Sequence, residues 1–418
     1  MCVLRPEEDD PSPFIMDEQM NHKERILAAL EGKSTDFIPW VPRLDLWYRA
    51  NSLAGTLPSK YGDASLTDIL DDTGMGLHAV VPNFRDLRNP DDDIDRALGI
   101  YNLWTMPYRT VLENVERNVR IDGDRTYVEY KTPVGTVSTV VLYDEAMLRA
   151  GISITHVEQH SFKTPDDYTP LGYIFENARV EPNYGGYSEF AHNTGDRGIA
   201  VGFISLAASP MHLIQRELMP LDTFFYEIYD HPDQVKRLSD KISSYWDRVL
   251  AISAESPADV LFLGANYDAS VTYPPFFAEH ILPTLKKFAV TLHDRSKYLL
   301  THTDGENTGL LQHYLDSNID IADSICPAPM TKLPLKEVRD FFGKDIVIMG
   351  GIPSVALLQM SMNDQEFDTF LDGFFEEIGD GSNLILGISD TTPPQADFDR
   401  LLKIIERVRA FGPVPASR

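Results

Sequence analysis

The feature that most constrains the fold is a recurrence of short apolar runs, most of them followed by a helical stretch. The runs fall at residues 37–41, 77–81, 199–206, 259–264, 298–302, 319–322, 345–349 and 383–387. They are apolar on both faces, as parallel strands buried on both sides must be. Segments with helical periodicity lie between the later runs, at 275–293, 308–317 and 336–342. Strand and helix in alternation make βαβ units. Eight such strands predict an α/β fold, a (β/α)8 TIM barrel.

One region breaks the pattern. Residues 111–162 alternate in polarity and carry Asp122-Gly123 and Pro133-Val-Gly135 as turns, so they read as antiparallel hairpins. The expected organisation is a single barrel domain over 21–412, with a β-rich insertion at about 105–190 between the second and third strands. Residues 1–20 read as a disordered acidic leader, with Pro11 and Pro13 ahead of any periodic pattern. The first helix is signalled by Asn21 as N-cap, Glu24 three residues on, and Ile26, Leu27 and Leu30 on one face. Gly32 ends it. The chain of 418 residues is 43% hydrophobic, which is enough for a full core.

Charge excludes several function classes. Lys and Arg number 37 against 64 Asp and Glu, a formal net charge of −27. Nucleic-acid binding needs clustered cations, and an anionic membrane surface would repel this chain. The two cysteines, Cys2 and Cys326, exclude a disulfide framework and any CxxC site. The N-terminal stretch has no apolar segment of a signal peptide. The nearest thing to a membrane span, 199–214, is broken by Ser205, Ser209, Pro210 and His212. A cytoplasmic location is expected.

In a barrel of this kind, reactive groups gather at the C-terminal strand ends. That rule selects Arg43, Asp45 and Trp47 after the first strand, and Asn266, Tyr267 and Asp268 after the fourth. It selects His302 and Asp304 on the fifth, Cys326 after the sixth, Gly350-Gly351 after the seventh, and Ser389-Asp390 after the eighth. His302 and Asp304 are two apart, so on an extended strand they share one face. A His beside a carboxylate can ligate a metal or act as an acid–base pair. Equally, Asp304 can cap the next helix while His302 sits hydrogen-bonded in the core. Cys326 can be packing or a third ligand. Arg43 and Asp45 can hold an anion or simply pair with each other. Trp40, Trp47, Tyr48, Trp104, Tyr184 and Tyr187 can line an apolar cavity or belong to the core. Gly350-Gly351 reads as a tight turn near a ligand, and it lacks phosphate-loop spacing. His156, His160 and His192 in or near the insertion carry no ligand-like motif.

The order of motifs resembles the uroporphyrinogen decarboxylase superfamily. Residues 21–32 with Asp36-Phe-Ile-Pro39 look like its opening. Residues 298–305, Leu310-Leu311 and Ile319-Asp320 continue it. So do 335–338 and 349–352, and Leu386-Gly387 with Thr392-Pro393 closes it. The resemblance spans about residues 20–410 and implies the same barrel. The superfamily holds two chemistries. The cofactor-free decarboxylases carry an Arg-rich N-terminal motif for propionate carboxylates. Here residues 41–49 offer only Arg43 and Arg49 in an acidic, aromatic stretch. The corrinoid-linked methyltransferases bind zinc through His-x-Cys on the fifth strand and a Cys near the eighth. Here His302 matches the His, while Asp304 and Ser389-Asp390 stand where the thiols would be. The resemblance therefore implies an oxygen-rich zinc site from His302, Asp304 and Asp390 or Cys326.

The expectation is a methyltransferase demethylating a methoxylated or methylated small molecule. Cobalamin, free or on a separate corrinoid protein, is the acceptor, since the chain has no Asp-x-His-x-x-Gly motif. His302 and Asp304 would polarise or protonate the leaving oxygen, with Asp268 or Asp390 orienting it. Arg43, Asp45, Trp47, Asn266 and Tyr267 would shape the substrate site. The alternative is a decarboxylase in which Arg43 holds a carboxylate. The family suggests a homodimer.

Overall fold

A computed structural model describes residues 19–417, so the expected leader falls almost wholly outside the described residues. The antiparallel part comes first. Its strands are β1 (Tyr108–Leu112), β2 (Glu116–Asp122), β3 (Arg125–Thr132), β4 (Gly135–Leu142), β5 (His156–Gln159) and β6 (Ala178–Pro182). β2 to β5 form a four-stranded sheet in chain order, and β1 pairs with β6. The β2–β3 hairpin closes with Asp122 opposite Arg125, leaving Gly123 at φ +59 in the two-residue loop. That left-handed conformation is why glycine stands there.

Six parallel strands follow: β7 (Gly202–Ser205), β8 (Val260–Ala265), β9 (Tyr298–His302), β10 (Ile321–Ile325), β11 (Val347–Pro353) and β12 (Leu384–Ser389). They lie side by side in chain order, with helices in the connections. Every residue of β7, β8, β10, β11 and β12 is buried, which matches their two-sided apolar pattern. The fold is thus an α/β one, a six-stranded parallel sheet with an N-terminal antiparallel insertion. Among the described residues, no helix is long and apolar enough to cross a membrane.

Three expectations need correcting. Runs 37–41 and 77–81 are not regular strands. The first makes a single bridge, Trp40 to Leu386, and the Val41 N–H donates to the Leu386 carbonyl. Pro39 and Pro42 flank that bridge, and neither has an N–H to extend it. The second run touches its neighbour through the Ala79 carbonyl, which accepts from the Val201 N–H. Gly350 and Gly351 are not a turn; they lie inside β11, opposite Leu386 and Gly387. The sixth strand begins and ends later than its apolar run, so it includes Asp323.

Candidate functional site

The C-terminal ends of the parallel strands are irregular, and the irregularity aims side chains. Register shifts occur in β7–β8 at Phe203/Ser205, in β8–β9 at Phe262/Ala265, and in β10–β11 at Asp323/Ile325. Bulges of this kind re-aim side chains and recur beside active sites. Gly264 (φ +86) makes one of them possible, because a Cβ there would lie 2.1 Å from the Tyr267 hydroxyl. Ser324 (φ +60) marks another, between Asp323 and Ile325. On this rim stand His302, the last residue of β9, Asp323 on β10, and Asp390, just past β12.

The three form one chain of contacts. His302 Nδ1 lies 2.6 Å from Asp323 Oδ2, and Nε2 lies 3.1 Å from Asp390 Oδ1. The same Asp390 oxygen accepts from Arg43 Nη1 at 2.6 Å. Arg43 Nε donates to Asp45 Oδ1 at 3.2 Å, and Arg49 Nη2 donates to Asp45 Oδ2 at 3.0 Å. His78 Nε2 stands 3.4 Å from the other Asp323 oxygen. Asp304 completes the group. It accepts from Asn266 Nδ2 at 3.0 Å and from Cys326 Sγ at 3.2 Å.

Burial makes these contacts matter. His302 and Asp323 expose 5% and 3% of their side chains. A lone buried charge is very costly, so each must be paired. For His302, burial opposes protonation. The hydrogen bonds to Asp323 and Asp390 outweigh it and raise the imidazole to about 10. Both nitrogens then carry protons, and both face a carboxylate. Burial also opposes ionisation of Asp390, yet the Arg43 charge and the His302 bond hold it well below the usual carboxylate range. Asp323 is held low in the same way by His302 and His78. Asp304 goes the other way, raised by burial and then by the Asp390 charge. The Cys326 thiol is pushed up by burial and by Asp304, so it is a donor and not a thiolate.

His302, Asp304 and Asp390 each offer one ligand atom, all within 4.8 Å of one another. One imidazole nitrogen and two carboxylate oxygens suit zinc or a harder divalent cation. With Nδ1 held by Asp323, Nε2 is the nitrogen turned toward Asp390. A carboxylate behind a metal-facing histidine is the usual orienting partner.

Other expected site residues stand elsewhere. Tyr267 is fully buried, with its hydroxyl 2.6 Å from Thr301 Oγ1. Trp47 is buried and stacks on Phe398 at 5.2 Å. Both are core residues: Tyr267 turns inward just after β8, and Trp47 lies on the buried face of the helix Asp45–Ala54. Asp268 organises its own loop, accepting from the Ser270 N–H at 2.8 Å and from the Ser270 hydroxyl. The aromatic residues do not gather. Trp40 is in the core, Tyr187 and Tyr184 bond the Ala200 and Ile252 carbonyls, and Trp104 bonds Asp86.

Asp323 and His78 are functional candidates that sequence reasoning missed. The signal was present: an ionisable residue inside an apolar run needs a buried partner. The run read as the sixth strand stopped one residue short of Asp323.

The family profile described as "Uroporphyrinogen decarboxylase (URO-D)" matches residues 189–411, just over half of the chain. Among solved structures, the chain is similar to a methyltransferase from Methanosarcina mazei at 14% identity and a TM-score of 0.49, covering 94% of this chain and 98% of that one. No curated protein matches.

Proposed function

The chain belongs to the uroporphyrinogen decarboxylase family, and from that premise we propose that it is a demethylating methyltransferase. It takes a methyl group from a methoxylated or methylated small molecule and passes it to a corrinoid. The frame is a (β/α)8 barrel in which 37–41 and 77–81 stand for the first two strands. Supporting this, the Gly76 N–H donates to the Trp40 carbonyl and the Val201 N–H to the Ala79 carbonyl, so backbone bonds run from β12 through 37–41 to the residue before 77–81, and from 77–81 to the residue before β7.

The observation that carries the reading is the cluster of His302, Asp304 and Asp390 within 4.8 Å, with His302 fixed from behind by Asp323. In the reaction the methyl carbon–oxygen bond breaks, the methyl goes to the corrinoid, and the released oxygen takes a proton. Reduced cobalamin, free or on a partner protein, would supply the electron pair of the new bond. Asp304, raised above ordinary carboxylates, gives the proton to the leaving oxygen. Asn266 and Cys326 hold its carboxyl in place. His302 stabilises the charge that develops on that oxygen. Asp390 and Arg43 fix the imidazole. If His302 Nε2 and Asp304 were deprotonated, a zinc or harder divalent ion held by His302, Asp304 and Asp390 would polarise the same oxygen in place of these proton donors.

The decarboxylase alternative needs a free Arg43 to hold a carboxylate. Arg43 is instead paired to both Asp45 and Asp390.

The test combines metal analysis of wild type and His302→Ala with an assay for methylcobalamin. The expected result is methylcobalamin from at least one methoxylated aromatic compound, strongly reduced in His302→Ala. Carbon dioxide released from a carboxylic substrate, with no methylcobalamin from any donor, would overturn the reading.

A further inference from the structure

A second charged group lies beside this centre. Arg96, on the 3-10 helix Ile94–Leu98, and Arg216, on the π-helix Ile214–Leu218, both reach Glu217. Arg96 Nη1 donates to Glu217 Oε2 at 2.5 Å and Arg216 Nε donates to Oε1 at 3.2 Å. Two guanidiniums share one carboxylate, so one positive charge is left over. The Arg96 Nε is buried without a hydrogen-bond partner. Glu217 therefore does not use all the donors that the Arg96 guanidinium offers.

These groups line a cavity of about 430 Å³ under the insertion, a size typical of small-molecule sites. Met147, Ile152, Ile154 and Val157 give it an apolar side, and Thr155 and His156 join the lining. His160 also lines it. Its Nδ1 lies 2.8 Å from the Glu217 carbonyl, which can only accept, so Nδ1 carries the proton and Nε2 remains available. Arg216 Nη1 reaches the Ala265 carbonyl at 3.4 Å, and Ala265 is the register partner of His302. The guanidinium therefore stands one strand from the His302 centre.

We propose that this cavity binds the carboxylate of a small amphipathic monoanion, on Arg216 and Arg96, with its apolar body against Met147, Ile152, Ile154 and Val157. A single uncompensated charge matches a carboxylate better than a doubly charged phosphate group. That this ligand is also the methyl donor rests on the function proposed above; its binding does not.

The experiment is calorimetric titration of the full chain, without cobalamin, using 4-methoxybenzoate, its methyl ester and phenylphosphonate. The acid should bind at least about tenfold tighter than the ester, and the phosphonate more weakly than the acid. Arg216→Gln should weaken the acid at least about tenfold while leaving the ester unchanged, and Arg216→Lys should restore most of the loss. If Arg216→Gln does not fold, wild type decides: added salt should weaken the acid and not the ester. Equal binding of acid and ester, tighter binding of the phosphonate, or an acid affinity indifferent to both Arg216→Gln and salt would overturn the proposal. Acid binding without methyl transfer would remove only the proposed function. Methyl transfer from the ester as fast as from the acid would overturn only the assignment of the bound acid as methyl donor.

Discussion

Replacing Asp323 by Asn tests whether the imidazolium of His302 is built into the fold. The pair is 2.6 Å long and almost wholly buried. Removing one partner of such a pair costs about 3–5 kcal/mol, mostly from the charge left behind. Asp390 remains on the other nitrogen at 3.1 Å, so the lower end applies, about 3 kcal/mol near pH 6. The pH dependence is the sharper test. His302 is raised from 6.5 to about 10 in the folded chain. A raised value means that the folded state holds a proton which the unfolded state has released. The stabilisation is complete below the unfolded value and is lost as pH climbs through about 10, at up to about 1.4 kcal/mol per pH unit. In Asp323→Asn the imidazole falls back toward its ordinary range and most of that slope disappears. Urea midpoints of both proteins, with chelator present, at about pH 6 and about pH 9 measure this. The gap should shrink as pH rises. Parallel pH dependences, or a gap of less than about 1 kcal/mol near pH 6, would refute a charged His302.

The acid side carries the opposite sign. Asp390 is held low, so its stabilisation is present above the ordinary carboxylate range and lost as pH falls below it. Arg43→Met should therefore cost about 3 kcal/mol near neutrality, and urea midpoints should show the difference narrowing below about pH 4. Cys326, buried and with its thiol pushed up, should resist iodoacetamide in the folded chain near pH 8 and react once urea unfolds it, as read by mass spectrometry.

Much of this molecule is legible in its sequence, and the illegible parts share a cause. β8, β9 and β12 coincide with apolar runs to within two residues, because burial on both faces writes itself into composition. Runs 37–41 and 77–81 are equally apolar and yet are not regular strands. Pro39 and Pro42 deny the first its ladder, and periodicity does not weigh hydrogen-bond donors. β10 was cut short for the converse reason. Asp323 looks like the end of a strand, and only the opposed His302 and His78 make it an interior residue. Strand-end logic found His302, Asp304, Cys326 and Asp390, since their chain positions alone put them on one rim. It could not find what pairs them. Arg43 and Asp390 lie 347 residues apart, and no spacing rule reaches that far. The same logic overshot at Tyr267, where the residue after a strand turns back into the core.

On the proposed function, the charges of the two neighbouring sites would divide the work of recognition. Around His302, the positive groups Arg43, Arg49 and the imidazolium meet the negative groups Asp45, Asp323 and Asp390, while Asp304 is raised toward its neutral form. That centre has no positive charge in excess, so it does not attract a carboxylate and suits a neutral reacting group such as an ether. One strand away, Arg96 and Arg216 exceed Glu217 by one charge. In a chain of formal charge −27, an anion is repelled at long range and held only where local pairing favours it. If the proposed function holds, a donor that carries both an ether and an acid would bind by its acid at Arg216 and Arg96 and react at its ether by His302. Substitutions in the two sites should then separate in kinetics. Arg216→Gln should raise KM for the acid with little change in kcat, whereas His302→Ala should lower kcat.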